Sequence, residues 1–169
     1  LLLERADGWV SNVLVPQATL LERVVRARHE RGRGFQLVLG LLTSIRPDLD
    51  DALRLARAEL VAALRAPDVR SRLDWIGEAE LGARLGSLCA ERRYEEAAEL
   101  LSDEIVRQFV VVCRPGELRD EVARYGDADV AVAIPVGGFL ALPGLLATSP
   151  ADALAARRAV AEELLGAAV

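Results

Sequence analysis

"FQLVLGLLTS", residues 35–44, is an almost continuous apolar run with no charge. It is too short to span a membrane and about right for a strand buried on both faces, which is how strands of a helix-covered parallel sheet read. Its flanks agree. Upstream, Leu20, Leu21, Val24, Val25 and Ala27 recur at helical spacing between Ala18 and Glu30, and Gly32-Arg33-Gly34 ends the pattern. Downstream, Pro47 and Asp48 open a helix over residues 48–65, with Asp48 as N-cap and further acids in the first turn, where the helix dipole favours them.

The same alternation extends to both sides. "GWVSNVLV" after the Asp7-Gly8 turn predicts a strand over residues 9–15, stopped by Pro16. Residues 66–108 read as a long, mostly helical insertion, followed by "FVVVC", residues 109–113, a short strand or extended link. Pro115-Gly116 breaks it, and Glu117 to Tyr125 form a short helix. A further buried strand runs from Val130 to Val136 and ends at Gly137-Gly138. Ser149 and Pro150 then open a last helix that reaches Ala168. Alternating strands and helices with fully apolar strands define an α/β protein with a parallel sheet. Three long strands, or four with residues 109–113, leave bare edges and are too few for a closed barrel.

The 169 residues are 52% hydrophobic, 28% charged and only 4% aromatic, so the core is built from Leu, Val and Ala in one domain over residues 1–169. All the basic residues are arginine. A net charge of −5 argues against nucleic-acid binding, which needs a basic face. Arg23, Arg26, Arg28, Arg31 and Arg33 crowd around His29, and at these helical spacings they read as a solvated face. Cys89 and Cys113 stand alone, without CxxC or His-rich surroundings, so no disulfide framework or metal site is expected and a reducing cytoplasm fits. No charge-free stretch is long enough for a membrane span, and Glu4-Arg5 interrupts the opening leucines too early for a signal peptide.

"RADGWVSN" (residues 5–12), the helix opening "DLDDALRLARAEL" (48–60), and "DEIVRQFVVVCRPGELRDEVARYGDADVAVAIPVGG" (103–138) occur in an order and spacing that resemble a known family. That family is the luciferase-like monooxygenase superfamily of flavin- and deazaflavin-dependent oxidoreductases. The likeness is to its C-terminal half and covers residues 3–165. It implies a (β/α)8 TIM-barrel fold holding FMN or a deazaflavin at the C-terminal strand ends. Residues 9–15 would be the sixth strand, 35–43 the seventh and 130–136 the eighth. "LLLERADGWVSNVLVP", residues 1–16, then reads as a mid-barrel junction, with strands one to five upstream. Two departures stand out. Cys113-Arg114-Pro115-Gly116-Glu117 replaces the family's glycine-led "T-P-E-E" turn, and Gly126-Asp127-Ala128-Asp129 stands where "G-V-D" is usual.

On the barrel reading, ligand contacts follow the strand ends: Asn12 to Pro16, Thr43 to Arg46, and Val136 to Phe139. The cofactor-binding candidates are Asn12, Thr43, Ser44, Gly137 and Gly138. Gly137-Gly138 lets backbone approach a phosphate or substrate, although an ordinary strand-ending loop looks the same. Arg46 suits an anionic cofactor tail or plain solvent. Asp7-Gly8 is expected to be structural, and the resemblance places most of the phosphate site upstream of it. No Ser-His-Asp, Cys-His or paired-carboxylate set stands out, and no catalytic residue is named.

These readings lead to an enzyme hypothesis: the C-terminal portion of a flavin- or deazaflavin-dependent oxidoreductase, performing hydride transfer or monooxygenation on a small organic substrate. Its partners would be the missing N-terminal half of the barrel and a second copy in a homodimer, with neither nucleic acid nor membrane. The alternative is a non-catalytic half-barrel homologue acting as an oligomerising or binding module. A small flavodoxin-like protein fits less well, because it needs a phosphate loop that is absent here.

Overall fold

The computed structural model describes residues 7–11, 14–32, 34–126, 128–136 and 158. The expected last helix lies outside them apart from Arg158, which is helical. The elements run β1 (Gly8–Val10), α1 (Gln17–Arg31), β2 (Gln36–Ile45), α2 (Leu49–Leu64), α3 (Pro67–Arg70), a 3₁₀ segment (Ser71–Ile76), α4 (Ala79–Ala90), α5 (Tyr94–Glu99), α6 (Asp103–Phe109), β3 (Val111–Cys113), α7 (Leu118–Ala123) and β4 (Val130–Pro135).

The apolar run is the centre of the sheet. β2 pairs in parallel with all three other strands. Val38 is opposite both Val10 and Val130, and Thr43 is opposite both Val111 and Pro135. A strand has two edges, so β4 occupies one, while β1 and β3 share the other, β1 beside the start of β2 and β3 beside its end. The sheet is open and does not close on itself.

The sixth-strand expectation needs correction. β1 stops at Val10 instead of Val15, and the cause is Ser11. Its N–H still donates to the Val38 carbonyl at 2.9 Å, but its hydroxyl then takes the place of a strand carbonyl and accepts from the Gly40 N–H at 3.0 Å. Leu14 and Val15 are buried in the turn that follows. Gly8 is required by close approach: a Cβ there would sit 2.7 Å from the Gln36 carbonyl oxygen.

Two apolar layers cover β2. Leu37, Leu39, Leu41 and Ile45 pack with Leu20, Val24 and Ala27 of α1 and with Leu118 and Tyr125 around α7. On the opposite face Leu42 joins the larger cluster of α2, α4, α6, Val112 and Val136. α2 is buried on nearly every side, and the Asp48 side chain caps it as expected, accepting from the Asp50 N–H at 2.8 Å. The helical insertion is a chain of short helices. Gly77 ends the 3₁₀ segment in the left-handed region at φ +80°, and Ser102 caps α6 by accepting from the Ile105 N–H.

Among the described residues, the second face is covered only in its upper half. Below α2, Val10 is 71% exposed and Val132 44% exposed, with Val38 half-buried between them. Register places these side chains on the Leu42 face, because Val10 is opposite Val38 and Val132 is opposite Gly40. A parallel sheet is normally covered on both faces, so this apolar strip is the anomaly of the fold.

The lower ends of the strands are clamped. Arg28, whose side chain is 11% exposed, pairs with Asp129 at 2.7 Å and donates to the Phe35 carbonyl at 2.6 Å. The same Asp129 carboxylate accepts from the Leu37 N–H at 2.6 Å. One ion pair thereby ties the end of α1 to the starts of β2 and β4.

Candidate functional site at the strand ends

The C-terminal ends of β2, β3 and β4 are stitched to one another. The Val136 N–H donates to the Thr43 carbonyl at 2.8 Å and the Arg46 N–H to the Cys113 carbonyl at 3.2 Å. The Arg72 guanidinium reaches the Leu14 carbonyl at 2.9 Å, drawing the helical insertion against the turn after β1. This is the region where the sequence places its candidates.

The structure separates the two described ones. Thr43 and Ser44 are consecutive in a strand, so they face opposite sides of the sheet. Ser44 is fully buried on the α2 side, and its hydroxyl donates to the Ala52 carbonyl at 2.8 Å. Thr43 lies on the face of Leu41 and Ile45, buried, with its hydroxyl lacking a hydrogen-bond partner. One ligand on one face of the sheet cannot engage both side chains. Ser44 serves helix docking, and Thr43 carries a buried hydroxyl on the side of α1 and α7. Asn12, Gly137 and Gly138 lie outside the described residues.

Arg46 folds back on its own strand. It donates to the Ile45 carbonyl at 2.8 Å and lies 3.9 Å from Asp51. In the arginine-rich segment of α1, Arg23, Arg26 and Arg31 are exposed, as their spacing predicts, and Arg28 departs from it by being largely buried. Arg23 stacks over Trp75 and Arg31 over Phe35, while Arg28 holds the Asp129 clamp. His29 is exposed, as expected.

Two residues escaped the sequence reading. Ser11 looks like any strand residue until its bond to Gly40 is seen. Glu59 is fully buried on α2, and its spacing from Ala52, Ala56 and Ala63 places it on one helical stripe with those buried alanines. That spacing was a usable signal.

Elsewhere, a groove of about 500 Å³ is lined by Arg54, Arg57, Leu101 and Asp103 among others. Its cations are already engaged: Arg54 by Asp51, and Arg57 by Asp103 and the Leu101 carbonyl. Burial pushes the Cys89 thiol up from its ordinary pKa and the Tyr125 phenol up to about 12. Among the described residues, no group of three His, Cys, Asp or Glu side chains is arranged to hold a metal ion, and no helix is long and apolar enough to cross a membrane.

None of the curated proteins matches this sequence. Among solved structures, the coenzyme F420-dependent tetrahydromethanopterin reductase from Methanopyrus kandleri is similar, with a TM-score of 0.58 at 20% identity. The likeness covers 81% of this chain and 42% of that one, so the chain spans less than half the length of that relative. At this identity the likeness concerns the fold: an α/β fold with a parallel sheet, similar to the luciferase-like TIM barrel. The family model described as luciferase-like monooxygenase matches residues 1–131, from the opening leucines through the start of β4. The chain belongs to the luciferase-like monooxygenase family.

Proposed function

We propose that this chain forms the C-terminal portion of a flavin- or deazaflavin-dependent oxidoreductase, acting by hydride transfer or monooxygenation on a small organic substrate. Family membership supports the oxidoreductase class. The observation that carries the barrel reading is the bare strip of Val10, Val38 and Val132, because the inner wall of a barrel is an apolar sheet face filled by side chains from the strands opposite. On this reading the rest of the barrel covers that strip, and the cofactor lies beyond the upper strand ends. The solved neighbour is named for coenzyme F420, which supports a deazaflavin alongside FMN.

The cofactor would supply the redox chemistry and the protein its binding and orientation. Ser44 and Thr43 do not fit as paired ligands, so the cofactor contacts fall to Asn12, Gly137, Gly138 and the other part of the barrel. Cys89 and the buried Cys113, neither of them in a disulfide, suit a reducing cytoplasm. The test is to titrate the complete reading frame with FMN and with F420 while following flavin fluorescence. Saturable quenching by one of them is expected, and no binding of either would end the enzyme reading.

The same bare strip favours a second reading, a non-catalytic module that covers its apolar face by self-association as a homodimer. Light scattering on the 169-residue chain separates the two. A stable dimer that binds neither cofactor supports the module.

A further inference from the structure

We draw no further inference here: the strongest candidate, the apolar sheet face of Val10, Val38 and Val132 left bare below α2, belongs to the barrel reading already given, and nothing in the structure shows any other occupant that covers it.

Discussion

The Ser44 hydroxyl donates a 2.8 Å hydrogen bond to the carbonyl of Ala52, and both residues are fully buried. The bond fixes the first turns of α2 on the upper end of β2. Ser44→Ala should therefore lower stability by about 1 kcal/mol, the usual net worth of one buried hydrogen bond. Urea denaturation measures this. In the complete reading frame the same variant should leave cofactor affinity unchanged, and a loss of affinity at unchanged stability would return Ser44 to the ligand site.

Thr43 predicts the opposite sign. Its hydroxyl is buried without a partner, so Thr43→Val removes a desolvated polar group while keeping the shape. Stability should stay level or rise by up to about 1 kcal/mol. A clear fall in the denaturation midpoint would show that the hydroxyl has work to do.

At Gly8 the prediction is steric. A methyl group would meet the Gln36 carbonyl oxygen at 2.7 Å, which is backbone and cannot swing aside. Gly8→Ala should cost about 1–3 kcal/mol through displacement of β1. Gly34→Ala is the control, because nothing lies within 4 Å of a Cβ there. Equal thermal midpoints for the two variants would contradict the close approach.

The Arg28–Asp129 clamp joins three elements through one carboxylate. Asp129→Ala removes the partner of a mostly buried guanidinium and the acceptor of the Leu37 N–H together. The expected loss is about 2–4 kcal/mol. Asp129→Asn keeps an acceptor for Leu37 and should lose less. If the two variants unfold alike, the Leu37 bond contributes nothing.

Tyr125 gives a pH dependence. Burial raises its phenol to about 12, whereas an unfolded tyrosine ionises near ~10. The unfolded chain therefore releases this proton first as pH rises. Stability from this group is intact below about pH 10 and drains away as pH climbs toward 12. Tyr125→Phe should remove that part of the alkaline loss, so the stability difference between variant and parent should grow in the variant's favour between those limits. A constant difference would contradict the burial.

Much of the fold was legible because it rests on local pattern. Residues 35–44 carry the almost continuous apolar run of a central parallel strand, and Pro47-Asp48 announces α2 through chemistry that acts within one turn. β1 was read too long because Leu14 and Val15 are buried in a turn as thoroughly as they would be in a strand, so hydrophobicity alone does not separate the two. The pairing of Thr43 with Val111 joins segments separated by the whole helical insertion, and no local signal announces it. At the site, the alternation that sends Thr43 and Ser44 to opposite faces was implicit in assigning them to one strand. The Ser44 bond to Ala52 was not, since it depends on how α2 lies across the sheet.

The central claim is that the strip of Val10, Val38 and Val132 is the inside of a barrel. Val10→Lys tests it most directly when introduced both into the 169-residue chain and into the complete reading frame. In the chain, where Val10 is 71% exposed, the denaturation midpoint should move by no more than about 0.5 kcal/mol of stability, as for other surface substitutions. In the complete frame the lysine would be buried without a partner, so cooperative unfolding and cofactor binding should both be lost. Wild-type unfolding and cofactor binding in the complete Val10→Lys protein would contradict the account.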